Sequence, residues 1–289
     1  VLLLWLSQRP QMFRFTVMFK IARFSWKPLL AATLALSLTD AMGGRMLWLS
    51  AAIPNPKPSI QFNATDLPDP PDLGEPKGRG GGGRRGCNPG DLEDQLTPLV
   101  PITRTPKGNT PWGITTASHP TFWLHTAKGF KSGAIALLTL RDSTNQSVSR
   151  IKFQIPAVQA GVLRLVVPST EPSLQLNQAY RWQLSIYCNS GSDSQAQNAL
   201  DTPLTLTGGI QRMEPSPKLV TQLSTAKTSL ERASVLAQHG IWFDALTTLG
   251  SQPKPLDPAI ATAWRDLLTQ ANLPVLSVAP LLDCCKPGD

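Results

Sequence analysis

The chain has 289 residues, 41% of them hydrophobic and 16% charged, enough apolar content for one large or two small packed domains. Its formal net charge of +8 invites a nucleic-acid reading. However, residues 1–52 carry six Lys or Arg against Asp40 alone, while residues 87–289 carry sixteen bases against fourteen acids; a domain that grips phosphates needs a basic surplus of its own, so the count argues against nucleic acid.

At the N-terminal end, Lys20, Arg23 and Lys27 precede a ten-residue apolar run at 29–38 (LLAATLALSL), followed by Thr39-Asp40-Ala41. Basic residues, a short apolar run and small residues in that order predict a secretory signal cleaved near Ala41. Residues 1–41 are thus read as an N-terminal extension and signal peptide, with translation expected to start at Met12 or Met18. The run is shorter than the about 20 residues that span a bilayer, so no stable membrane span is expected after cleavage. No cysteine follows closely, which argues against a lipoprotein anchor. Residues 42–86 read as a linker, rich in proline from Pro54 to Pro76 and ending in GRGGGGRRG at 78–86. Such composition buries too little apolar surface to offset the entropy of ordering.

Residues 87–214 change to short runs of period two. In 179–188, Tyr180, Trp182, Leu184, Ile186 and Cys188 share one face, and Arg181, Gln183 and Ser185 the other. In 149–155, Ile151, Phe153 and Ile155 alternate with Arg150, Lys152 and Gln154. Further strands are expected at 110–116, 120–126, 133–141, 162–168 and 203–212. This spacing predicts a mainly β fold, an antiparallel immunoglobulin-like β-sandwich. The apolar residues 135–138 suit a strand covered on both faces, and Gly208-Gly209 predicts a bulge or a close backbone approach. Residues 215–289 turn helical. Thr228 and Glu231 form a capping-box pattern ahead of Gly240, a second helix is expected at 241–249, and a third from Asp257-Pro258 to about 271. This C-terminal α region, a small three-helix unit, has too few apolar residues for its own core and should pack on the sandwich.

Several phrases resemble the domain-of-unknown-function family 928, found chiefly in cyanobacteria. They are the Arg/Gly run ending in Cys87, Leu96-Thr97-Pro98-Leu99-Val100-Pro101, Pro120-Thr121-Phe122-Trp123, Tyr180-Arg181-Trp182 leading to Cys188, and Gly209-Ile210-Gln211-Arg212. The longest is Gly240-Ile241-Trp242-Phe243-Asp244-Ala245-Leu246, and Trp264 and Cys284-Cys285 complete the set. The resemblance covers about residues 79–285 and brings no catalytic residues with it. One departure is Gly209, where the pattern would place a tryptophan.

The chemistry-bearing residues give no catalytic constellation. The glycine run at 80–83 lacks the Lys-Ser/Thr of a phosphate loop. His119, His125 and His239 show no metal-ligand spacing; His119 and His125 with a distant acid would be the one arrangement to consider, and His239 suits a helix C-terminus. No Gly-x-Ser-x-Gly elbow occurs. Asp142, Glu171, Asp193 and Asp201 fall in expected turns and read as solvated loop acids. No catalytic, cofactor-binding or metal residue is therefore assigned, and no cofactor is expected. Cys87, Cys188, Cys284 and Cys285 are an even set in a chain that reads as exported, so disulfides are expected. Three pairings are possible; the favoured one joins Cys87 and Cys188 each to a terminal cysteine, because a bond between neighbours closes a very small ring. Tyr180 resembles the tyrosine corner of immunoglobulin-like sandwiches. Trp242, Phe243, Leu246 and Leu249 form a helical apolar face that reads as core, though a lone tetratricopeptide-like hairpin there is a weak pointer to protein binding.

The expectation is an exported protein of the periplasm or cell envelope, a non-catalytic interaction or scaffolding module. Its partner would be another envelope protein or a surface polymer. The alternative is an envelope enzyme acting on glycans, which would need paired carboxylates.

Overall fold

The structure, a computed structural model, describes residues 59–64, 68, 70, 96–105, 108–188 and 203–288, all within the unit Asn55–Asp289. The signal, the glycine run, Cys87, Asp193 and Asp201 lie outside the described residues.

Alternation produces strands where it was read, with two short additions near the start and one at the C-terminal end. They are β1 (Leu96–Pro98), β2 (Ile102–Thr105), β3 (Gly108–Thr115), β4 (Thr121–Thr126), β5 (Ala134–Arg141), β6 (Ser147–Ile155), β7 (Gly161–Val166), β8 (Gln178–Tyr187), β9 (Leu204–Arg212) and β10 (Lys286–Pro287). They form a three-stranded sheet, β1-β4-β7, and a seven-stranded sheet, β10-β6-β5-β8-β9-β3-β2. Tyr180, Trp182, Leu184 and Ile186 of β8, Ala136, Leu138 and Leu140 of β5, and Ile151, Phe153 and Ile155 of β6 all point inward and are buried. The sheets meet where the Phe122 ring of β4 stands edge-on to Trp182 of β8, centroids 5.9 Å apart.

Two expectations about the sheets are corrected. The pairing is not purely antiparallel: β3 runs parallel to β9, with Trp112 opposite Gly209 and Thr115 opposite Arg212. Period two tells which face a residue takes, not which strand lies beside it or in what direction. Nor is β5 covered on both sides, because Ile135 and Leu137 lie half-exposed on the outer face. Gly208 is a close approach, as expected: a Cβ there would stand 2.6 Å from Trp182 Cε2 and 2.7 Å from the Pro111 carbonyl oxygen.

Four helices follow rather than three: α1 (Pro217–Thr225), α2 (Ser229–Gln238), α3 (Trp242–Gly250) and α4 (Pro258–Gln270), then a short 3-10 helix at Pro274–Val278. The unexpected α1 starts at Ser216, whose side chain accepts from Leu219 N, with Pro217 in its first turn. It buries Leu219 alone, so its apolar period is faint in the sequence. The capping box of α2 forms as read: Thr228 accepts from Glu231 N, and Glu231 accepts in turn from Thr228 N. Asp257 caps α4 by accepting from Ala259 N.

The helices seat on the sheets through α3 and α4. Trp242, fully buried, donates its Nε1–H to the Leu99 carbonyl at 2.8 Å. Phe243 lies against Gly113, whose missing side chain makes room for the ring: a Cβ there would stand 2.9 Å from Phe243 Cε2. Trp123 donates to Thr247 Oγ1 at 3.1 Å and meets the Trp264 ring edge-on. Residues 59–63, read as linker, are docked here too. Ile60 is buried, Phe62 stands edge-on to Trp242, and Asn63 N donates to the Ala237 carbonyl. One buried isoleucine and one aromatic contact are invisible in a segment whose composition is dominated by turn-forming and polar residues.

Candidate functional site

Past the 3-10 helix the chain crosses from one sheet to the other. Val162 N donates to the Pro280 carbonyl and Leu282 N to the Val162 carbonyl, both at 2.8 Å, which ties the segment to β7. Lys286 and Pro287 then pair antiparallel with Gln154 and Phe153 of β6, and Gly288 N donates to the Lys152 carbonyl at 2.8 Å. The C-terminal segment is thus a strap stitched to an edge strand of the small sheet and to β6, the last long strand of the large one.

In the strap, between its two anchor points, Cys284 and Cys285 are bonded to each other. This corrects the expected pairing with Cys87 and Cys188. Ring size alone disfavours a bond between neighbours, whereas backbone pairing on either side confines both cysteines to a single turn. Cys285 is buried, with a left-handed φ of 77°. Cys188 is also disulfide-bonded.

Beside the strap opens a cleft of about 920 Å³, lined in part by Lys152, Arg164, Lys254, Asp283, Lys286 and the disulfide. Lys254 Nζ bonds Asp283 Oδ1 at 2.7 Å and the Leu281 carbonyl at 2.9 Å. That ammonium, by hydrogen bond and by charge, holds the Asp283 carboxyl below the usual carboxylate range. Arg164 Nη1 donates to Ser251 Oγ at 3.3 Å. Among the described lining residues, four bases face one carboxylate that is already paired. Such a lining can hold an anionic or polyhydroxylated chain, but it lacks the two carboxylates of glycoside hydrolysis.

The other singled-out residues are dispersed and structural. His119 bonds Ser118 Oγ through Nδ1 and the Glu171 carbonyl through Nε2. His125 is half-buried, its Nδ1 without a partner, and burial pushes its pKa down. His239 caps the C-terminus of α2 and bonds Gln222 Oε1 at 2.6 Å. Asp142 turns onto its own loop, accepting from Thr144 and Gln146, while the Glu171 carboxylate accepts from Ser149 Oγ. Among the described residues, no group of three or more His, Cys, Asp or Glu is placed to hold a metal ion. Tyr180 OH accepts from Gln175 N at 2.9 Å and donates to Gln178 Oε1 at 3.1 Å.

Sequence reasoning passed over Asp244. Its carboxylate accepts from Thr115 Oγ1 at 2.6 Å, Thr116 N at 2.7 Å and Thr116 Oγ1 at 2.6 Å, pinning α3 to the end of β3. Its place in the longest phrase shared with the family was the available signal. It also missed the cleft's basic residues, because Lys152, Arg164, Lys254 and Lys286 come from four separate segments.

Among curated proteins none matches this chain. A family model described as "Domain of Unknown Function (DUF928)" matches residues 80–281. That span takes in β1 to β9, all four helices and the start of the strap, and the chain belongs to the DUF928 family.

Proposed function

We propose that this protein is an exported, non-catalytic binding module of the cell envelope, built on an immunoglobulin-like sandwich. The strand plan supports the fold reading: β1 joins β4 and β7 in one sheet, while β3 runs parallel to β9 in the other, beside β6-β5-β8-β9. The Tyr180 hydroxyl accepts a backbone N–H five residues upstream, which supports reading it as a tyrosine corner. Export is supported by the signal-like order of residues 20–41 and by disulfides at Cys188 and at Cys284–Cys285, since such bonds persist in oxidising compartments. No helix among the described residues is long and apolar enough to cross a membrane.

The observation that carries the binding reading is the strap cleft, a concave site whose polar side chains are bases, amides and hydroxyls around one paired carboxylate. Concave sites with a few converging polar groups are where ligands bind. The test is fractionation of cells producing the full chain, with N-terminal sequencing and co-sedimentation on isolated envelope material. A chain processed near Ala41 that co-sediments and releases no soluble sugar is expected. An unprocessed cytoplasmic chain overturns the export reading, and released reducing ends overturn the non-catalytic one.

A further inference from the structure

Five bases scattered in sequence lie on one sheet face. Cross-strand partners share a face, and the register sets the rows. Lys286 lies opposite Gln154, itself opposite Ile135, which faces Tyr187. The next row runs Lys152, Leu137, Ser185, Thr205, and the one after it Arg150, Thr139, Gln183, Thr207. Last comes Arg141 opposite Arg181. All of these residues are on the side away from the core, and Arg150, Lys152 and Lys286 are exposed. No Asp or Glu occurs in β5, β6, β8, β9 or β10. Among the described residues there is an ion pair between Lys254 and Asp283, and no described carboxylate pairs with any of the five bases. The nearest acid in sequence, Asp142, is turned onto Thr144 and Gln146. Arg141 donates to the Asn145 carbonyl, which leaves its charge uncompensated. Like charges directly opposite on neighbouring strands, as Arg141 and Arg181 are, destabilise a sheet unless an anion lies between them.

From this face we infer that the protein binds a linear acidic polysaccharide, one bearing carboxylates along its length, an assignment that rests on the binding-module reading above and names its ligand. Positions about 4.8 Å apart within a row, in rows about 6.8 Å apart along the strands, present a cation every one or two sugar units. Between the cations stand Gln154, Gln183 and Thr205, two amides and a hydroxyl that reach the surface and suit sugar hydroxyls. Single-stranded nucleic acid fits the face less well, because its binding needs several aromatic rings for base stacking and Tyr187 is the one aromatic in these rows. Lys152 and Lys286 also line the strap cleft, so a chain lying on the face continues into it.

The test is affinity electrophoresis of the full chain in gels containing polygalacturonate, neutral dextran or single-stranded DNA. Retardation by polygalacturonate and not by dextran is expected. Arg150→Gln with Lys152→Gln should weaken it by roughly 2- to 30-fold, as the loss of two exposed ion pairs implies. Arg181→Gln with Lys286→Gln, on two other strands, should act alike, while Lys218→Gln with Lys227→Gln, exposed in and after α1, should leave retardation unchanged. Matching melting curves show that all three variants fold. No retardation by polygalacturonate, equal loss in the α1 pair, or tighter retention by DNA would each overturn the assignment. A chain that still co-sediments with envelope material but ignores polygalacturonate loses this ligand and keeps the binding-module reading.

Discussion

Replacing Asp244 by alanine should loosen the helical unit from the sheets. Three donors converge on this carboxylate, all within 2.7 Å: the Thr115 and Thr116 hydroxyls and the Thr116 N–H. A hydrogen bond to a charged group contributes about 1.5–3 kcal/mol, but the three do not simply add. Asp244 and Thr116 are half-buried, so water can reach the Thr116 hydroxyl, which can rotate toward it. The Thr116 N–H has its direction fixed by the backbone, and Thr115 is fully buried. The net loss is therefore about 2–4 kcal/mol. In a folded unit of this size 1 kcal/mol moves the melting temperature by about 2–4 °C, so Asp244→Ala should melt roughly 4–16 °C below wild type. Asp244→Asn keeps one acceptor oxygen and should fall in between. The assay is thermal unfolding of the full chain followed by near-ultraviolet circular dichroism, which reads the Trp242 and Trp123 environments beside the site. An Asp244→Ala protein melting within about 2 °C of wild type would refute the claim that this carboxylate pins α3 to β3.

Other substitutions probe different parts of the fold. Gly208→Ala sets a methyl against the buried Trp182 ring and the Pro111 carbonyl, neither of which can move away, and should cost about 1–3 kcal/mol or more in a denaturant titration. Deleting residues 280–289 unpairs one edge each of β7 and β6 and uncovers the core around Cys285, so a lower melting temperature and concentration-dependent aggregation in light scattering are expected. Non-reducing peptide mapping should recover Cys284 and Cys285 bonded in one peptide, and a link from either to Cys188 would contradict the strap. Hydrogen bonds from Lys227 N and Thr228 N hold the Glu231 carboxyl below its ordinary value. Its contribution is therefore complete above the ordinary carboxylate range and is lost as pH falls through the depressed folded value. Glu231→Gln should remove that part of the acid sensitivity in melts from neutral to acid pH, and an unchanged pH profile would show that the capping box adds nothing.

Much of the architecture was legible because it is written locally. Seven strands stand within a few residues of their expected positions, since alternation is a property of each segment alone. The capping box at Thr228 and the Asp257-Pro258 start needed nothing beyond neighbouring residues. Gly208 was legible as a close approach, although Trp182 as the approaching group was not. The helix α1 was missed because one buried leucine gives no period, and residues 59–63 because a docked segment needs a partner surface to be recognised. The candidate site was hardly legible at all: its cysteines were found and mispaired, and its bases were counted and judged dispersed.

What the sequence by itself determined is therefore the mainly β order with a helical C-terminal region, the faces of the strands, the caps, and the cysteine set. These follow from bond geometry and local hydrogen bonding, which act over a few residues. Tertiary structure alone decided the parallel pairing of β3 with β9, the strap across β7 and β6, the Cys284–Cys285 bond, and the gathering of Arg141, Arg150, Lys152, Arg181 and Lys286 on one face. The physical reason is the same in each case: strand register joins residues far apart in the chain, and no local pattern states which strands will be neighbours.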